Sequence, residues 1–221
     1  MNTLTKGELT QLEILEKVNE LFNRSGVDHT ILEISDSIGM GKSRITNYFP
    51  KKEDLIIGLL RQYEKEMAVW VTNYLSRFEI QGFYQYLPYL AGIMKLMFRY
   101  RRVISYSLIH PGLERSVDHH IKLNYDKNKI QIRGRMETFI KNGLLKEKLL
   151  EPDIFEVFIL QFLCVSSNWI VMFNLLEADN SFDTVKERYL QSLLSCLYPY
   201  LTEKGEKQMT TAINLFEGHD L

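Results

Sequence analysis

Between residues 42 and 52 the chain reads KSRITNYFPKK, and the side chains gathered there are suited to recognition rather than to bond making. Arg44 can fork onto O6 and N7 of guanine, Asn47 onto N6 and N7 of adenine, and Thr46 can meet a thymine methyl. Lys42, Tyr48, Lys51 and Lys52 are of the kind that reaches phosphate oxygens and fixes register. Four of the residues from Lys42 to Lys52 are basic and none is acidic. Over residues 1–60, however, seven bases meet nine acids, so any positive face must be confined to this segment. Taken alone, the pattern equally describes the solvated face of an ordinary helical bundle.

The elements that must hold these side chains follow from apolar spacing. At about 100° per helical residue, Ile45 and Phe49 share one face. Ser43, Arg44, Thr46 and Asn47 fall opposite, with Lys42 and Tyr48 at the margins. Upstream, Thr30 is suited to cap a short helix carrying Ile31, Ile34 and Ile38, which Gly39 stops. Two short helices joined by a glycine turn predict a helix-turn-helix. A first helix over 9–24 bears Leu12, Leu15, Val18, Leu21 and Phe22 on one stripe. Pro50 closes the second short helix, and a long helix follows to about Phe78, with Glu53 and Asp54 in its first turn.

Beyond it, helices are predicted at about 82–100, 102–109, 116–142, 153–177, 184–201 and 204–217. Gly82, His110-Pro111-Gly112, Gly143 and Glu151-Pro152 mark most of the breaks. No convincing strand pattern of alternating residues occurs. The expected fold is therefore all-α: a three-helix module at 1–50 and a larger helical body at 51–221, richer in aromatics and methionines.

The totals remove several function classes. With 27 Lys and Arg against 28 Asp and Glu, bulk charge nominates no partner. Cys164 and Cys196 lie in apolar helical patterns, as expected of reduced thiols, and no CxxC or paired Cys/His spacing predicts zinc. His119 and His120 are adjacent and project about 100° apart, unlike an i, i+4 metal pair. No phosphate loop, nucleophile elbow or spaced carboxylate motif is found, so no catalytic residue, metal ligand or cofactor is expected. The N-terminal residues lack a secretory apolar core, which favours the cytoplasm. Val157 to Phe173 carries no charge, yet it is short for a membrane span, contains Gln161, Ser166, Ser167 and Asn168, and has acidic flanks. A helix buried on most of its surface, and no membrane partner, is the expectation.

The stretch TILEISDSIGMGKSRITNYFPKKEDL resembles the signature of the tetracycline-repressor (TetR) family of bacterial transcription regulators. Thr30, Ile31, Ile34, Gly39, Ile45, Tyr48, Phe49, Lys52, Glu53, Asp54 and Leu55 hold signature places, and ILEKVNELFNRSG resembles the family's first helix. The resemblance covers about residues 12–60. It departs at Gly41, where serine is usual, at Ser43-Arg44, where Gly-Thr is common, and at Thr46, where a backbone-contacting tyrosine is common. The loop from Gly26 to His29 is one residue short. The resemblance implies a regulator that reads a near-palindromic double-stranded DNA operator through Thr30, Lys42, Ser43, Arg44, Thr46, Asn47, Tyr48, Lys51 and Lys52.

It also implies that the body binds a small effector and pairs with a second copy. The predicted helices at 153–177 and 184–201 are apolar around much of their circumference, more than one chain's core requires. Leu160, Leu163, Val171, Leu175, Leu190, Leu194 and Leu197 are the expected contributors to a four-helix dimer interface. Trp70, Tyr74, Tyr86, Tyr89, Met94, Met97, Tyr125, Trp169 and Phe173, with Asn168 as an orienting polar group, are the candidate walls of an effector pocket. That lining would favour a flat, apolar or aromatic molecule. Two alternatives share the fold: a helical carrier whose DNA module has decayed, and a DNA-binding protein with no effector.

Overall fold

A computed structural model describes residues 4–110 and 115–217, with side chains for all of these except 115–125 and 217. Among the described residues, ten α-helices run in chain order: α1 (Lys6–Ser25), α2 (Ile31–Ile38), α3 (Lys42–Thr46), α4 (Lys52–Arg77), α5 (Phe83–Arg99), α6 (Arg101–Ile109), α7 (Arg115–Lys141), α8 (Pro152–Leu176), α9 (Phe182–Leu194) and α10 (Glu203–Glu217). No strand occurs among the described residues, and the chain is all-α with an N-terminal helix-turn-helix module and a larger helical body.

Local sequence sets the module's corners. Thr5 and Thr30 each form a reciprocal capping box, with Glu8 and Glu33, so α1 and α2 start at defined residues. Gly39 ends α2 in the left-handed conformation (φ 65°, ψ 34°), where other residues are strained. Met40 then tucks into the core and its N–H donates to the Ser35 carbonyl, 3.0 Å away. Ile14, Leu15, Val18, Leu21, Phe22, Ile34, Ile45 and Phe49 are buried together with Leu55, Ile56 and Leu59 from the first turns of α4. A Cβ on Gly58 would lie 3.0 Å from both Leu15 and Phe49, so the glycine lets α4 press against the module.

At 26 residues α4 is about 39 Å long, enough to run from the module into the body. There Trp70 covers Gly92 of α5 so closely that a Cβ would meet the indole at 2.0 Å. The body's interior is aromatic. Phe83 and Tyr86 meet Phe139 of α7 at 5.1 and 5.4 Å, and Phe98 meets Phe173 of α8 at 5.0 Å. The helix expected over 184–201 ends at Leu194 and continues as a 3₁₀ segment to Tyr200. Pro199, which has no N–H to donate, accounts for the tighter finish.

Candidate nucleic-acid interface

The turn between α2 and α3 presents a small polar surface. Ile45 is fully buried and Phe49 nearly so, while Lys42, Ser43, Arg44 and Asn47 are exposed and Thr46 and Tyr48 half-buried. The regular helix stops at Thr46, two residues short of the expected reader, although N–H groups of Tyr48 and Phe49 still donate to the Ile45 carbonyl. Gly41 caps α3 with no side-chain oxygen. Lys51 is exposed and Lys52 half-buried at the start of α4, where the Asp54 carboxylate accepts the Lys51 N–H at 2.8 Å. The residues proposed for phosphate and base contact thus lie on consecutive elements of one corner.

Two of the candidate side chains, Arg44 and Thr30, are already held by carboxylates, and the Thr46 hydroxyl donates to the Ser43 carbonyl at 3.4 Å. Arg44 donates to the Glu13 carboxylate on α1 at 2.8 Å, and Lys17 stands 3.7 Å from the same group. No local pattern in the sequence points to Glu13, because thirty-one residues separate it from Arg44. Both side chains are about half exposed, so the pair holds with roughly 0–1 kcal/mol and a phosphate can displace it. Thr30 donates its N–H and hydroxyl to Glu33, at 2.7 and 3.0 Å. The backbone hydrogen bond from Thr30, followed by that from its hydroxyl, holds the Glu33 carboxyl below its ordinary pKa. Thr30 is therefore occupied in capping, and a phosphate would have to share it.

The aromatic candidates of the body come together but fill one another's space. Tyr74 packs against Trp70, Phe78 and Tyr89 with ring centroids 5.1 to 5.6 Å apart, and its hydroxyl donates to the Gln85 carbonyl. Tyr86 stacks on Tyr89, and burial drives the Tyr86 phenol pKa upward. The Trp169 indole N–H points at the Met97 sulfur, 3.4 Å away, while Met94 and Phe173 are buried nearby in the same core. Asn168 departs from the expected lining: it is exposed, and its amide donates back to the Cys164 carbonyl at 3.1 Å. Tyr125, His119 and His120 lie outside the described side chains. A cavity of about 280 Å³ does occur, but at the junction of α1, α4 and the α5–α6 corner.

The interface candidates divide. Leu190, Leu194 and Leu197 are buried inside their own chain, Leu194 and Leu197 completely, so they have no surface to give to a second copy. Their helix turns its polar side outward instead, with Arg188, Gln191, Ser192 and Ser195 exposed. Leu160 and Leu175 are 59% and 70% exposed, and Leu163 and Val171 are half-buried. Val157, Met172 and Leu176 are also exposed. With Cys164 and Asn168 these residues make a stripe along α8 at spacings of three and four, a signal already legible in the sequence. The expected burial of most of this helix is thus not achieved within one chain. Among the described residues, α8 is also the helix long and apolar enough to cross a membrane by length and composition.

No family model and no curated protein sequence matches the chain. Solved structures do. A TetR-family transcriptional regulator from Marinobacter aquaeolei VT8 is 20% identical with a TM-score of 0.72, over 93% of this chain and 98% of that one. A γ-butyrolactone receptor described as ArpA-like is 15% identical with a TM-score of 0.66, over 97% and 99%. The TetR-family protein CprB from S. coelicolor A3(2) is 14% identical with a TM-score of 0.65, over 98% and 100%. At these identities what is shared is the fold, across both the module and the body.

Proposed function

We propose, since the chain has the fold of the TetR-family transcriptional regulators, that it is a non-enzymatic, homodimeric, ligand-responsive regulator, acting as a cytoplasmic repressor at a near-palindromic operator. The observation that carries this reading is the α2–α3 corner. An acid-free run of polar and basic side chains stands exposed on a short helix whose only buried residue is Ile45. Ser43, Thr46 and Asn47, with Arg44 once it leaves Glu13, would face base edges in the major groove. Thr30, Lys42, Tyr48, Lys51 and Lys52 would grip phosphates.

A dimer suits both the DNA and the exposed stripe of α8. Two readers must stand about 34–36 Å apart to enter successive major grooves. Pairing α8 with its copy would cover Val157, Leu160, Met172 and Leu175, an apolar surface that water otherwise wets. An effector that opens the aromatic body around Trp70, Tyr89 and Trp169 would act through α4, which joins that region to the reader. Gly58 and Gly92 bring α4 into close packing at both ends, so a shift at one end is felt at the other.

Selection from a random DNA pool tests the reading. A palindrome should enrich and be bound by two chains, with affinity falling steeply as salt rises. Replacing Lys52 should weaken all sequences alike, whereas replacing Asn47 should relax preference at one base position. Absence of enrichment, with weak binding lost by physiological salt, would instead favour a helical carrier with a decayed DNA module.

A further inference from the structure

The corner where α5 meets α6, Arg99 to Arg101, is hydrogen-bonded to three other elements. On the α1 side, the side-chain amides of Asn19 and Asn23 both donate to the Arg99 carbonyl, at 2.9 and 2.7 Å. In return, the Arg101 guanidinium donates to the Asn23 carbonyl at 2.8 Å. Both carbonyls stand in the last turns of their helices, where no intrahelical N–H is left for them. Turning either asparagine over would set its oxygen against the Arg99 carbonyl, so the direction of each amide is fixed. On α4, Glu66 accepts from the Arg99 guanidinium at 3.0 Å and from the Tyr100 hydroxyl at 2.8 Å. On α8, the Asn174 amide donates to the Arg101 carbonyl at 3.0 Å, one residue before Leu175 of the exposed stripe.

Apolar packing does not do this work at the junction. The cavity of about 280 Å³ lies between α1, α4 and the corner, with Leu15, Leu59 and Phe98 among its walls, so the apolar faces there do not close on one another. Apolar contact is non-directional and tolerates sliding, whereas a hydrogen bond weakens steeply as its angle opens. The bonds from α1 therefore fix an orientation that the surrounding contacts leave loose. Asn19 is buried, so water competes poorly for its bond. The covalent attachment of the module is α4, and a single attachment leaves a module able to hinge about it. The second anchor, on α1, removes that freedom. It holds the reader relative to the corner and, through Asn174, relative to α8.

We propose that Asn19, Asn23, Arg101 and Asn174 are positioning residues for operator recognition. They lie outside the proposed DNA contacts and set the separation of the two readers, by tying α1 to the corner and the corner to α8. The inference rests on the regulator reading, with α8 paired to its copy, and adds to α4 a second and polar path between that pair and the reader. One base pair inserted between half-sites moves them apart by about 3.4 Å and turns one against the other by about 35°. Two tied readers accept one spacing; two released readers accept its neighbours as well.

Copies of the selected operator that differ only in the number of base pairs between half-sites test this on the full chain. The unaltered chain should bind one spacing and lose about a hundredfold or more when a base pair is added or removed, because only one half-site at a time is then engaged. Asn19→Ala with Asn23→Ala should flatten that profile, the loss falling to about tenfold or less, while affinity for an isolated half-site stays unchanged. Both changes are neutral, so the salt dependence should also stay as it was. Asn174→Ala, half-buried on α8, should flatten the profile in the same direction. It carries the test alone if circular dichroism shows that the double variant does not fold. A merely structural role would lower affinity at every spacing in equal proportion and leave the profile sharp. That result, or a broad profile in the unaltered chain, would overturn the proposal. A chain that selects no palindrome at all overturns the regulator reading instead, and the positioning role falls with it.

Discussion

The module and the body bury different kinds of side chain, and the contrast explains how each is specified. The module's interior is mainly aliphatic, from Ile14 and Val18 through Ile34 and Ile45 to Leu59, around Phe22 and Phe49. Its α2 and α3 are too short to be stable alone: a capping box and one left-handed glycine define the ends of α2, while α3, with no side-chain cap, is held by the burial of Ile45. The body holds most of the large buried rings, Phe83, Tyr86, Phe139, Phe155, Phe158 and Phe173 among them, on helices long enough to be fixed by packing. Their outer surfaces differ as well. The module shows a polar face suited to reversible contact, while α8 shows an apolar stripe suited to lasting contact.

The largest predicted effects separate inner from outer leucines of the body. Leu194→Ala, at a fully buried position, should cost about 2–5 kcal/mol of stability by denaturant titration. Leu160→Glu, on the exposed stripe, should leave the stability of the single chain within about 0.5 kcal/mol. Sedimentation should nevertheless show it shifted to monomer, with operator affinity reduced by about a hundredfold or more as the two half-sites lose their linkage. An unchanged oligomeric state would mean that the α8 stripe is covered by something other than a second copy.

On the module the effects should be smaller and read on DNA rather than on folding. Asn47 is exposed, so Asn47→Ala should leave the melting temperature in place. Binding to the selected operator should fall by about 1–3 kcal/mol, with preference lost at one base pair per half-site. Equal loss on all sequences would reassign Asn47 to the phosphates.

The same contrasts separate what local sequence specifies from what packing decides. Helix bounds are legible because Gly82, Gly143 and Pro152 punctuate the chain: the helix expected over 116–142 lies at Arg115–Lys141 and that over 153–177 at Pro152–Leu176. The side of a helix that faces its own chain is less legible where apolar residues run all round. By residue type Leu190, Leu194 and Leu197 are as available to a partner as Leu160, and only packing against the rest of the body separates them. Asn168 stands beside Trp169, yet a step of 100° puts one outside and the other inside. Contacts set by distant elements carry no local signal at all, whether the Arg44–Glu13 pair or the asparagine amides that meet at the Arg99 carbonyl.

The Glu13 contact yields the next prediction. If Glu13 competes with DNA for Arg44, then Glu13→Gln should raise affinity for the selected operator by no more than about 1 kcal/mol, the ceiling for a half-exposed pair. The salt dependence should steepen, because the freed arginine displaces a further counterion. Lower affinity in this variant would mean that Glu13 positions Arg44 for its base rather than withholding it.

The smallest effect belongs to Gly41, which differs from Gly39 although only Met40 separates them. Gly39 has a positive φ, and an L side chain there costs about 1–2 kcal/mol whatever room surrounds it. Gly41 has φ −60° and ψ 136°, an ordinary extended conformation, and a Cβ there would meet nothing within 4 Å. Its α3 helix starts with no side-chain cap. Gly41→Ser should therefore stabilise the chain by a few tenths of a kcal/mol, raising the melting temperature by about 1 °C, whereas Gly39→Ser should lower it by several times as much. The new hydroxyl would stand at the N-terminus of the reader, where donors meet phosphate. If DNA affinity rises together with stability, the uncapped start of α3 is a tuned weakness in the reader. If stability alone rises, that end of α3 faces away from the backbone, and Lys42 must reach the phosphates from further along the helix.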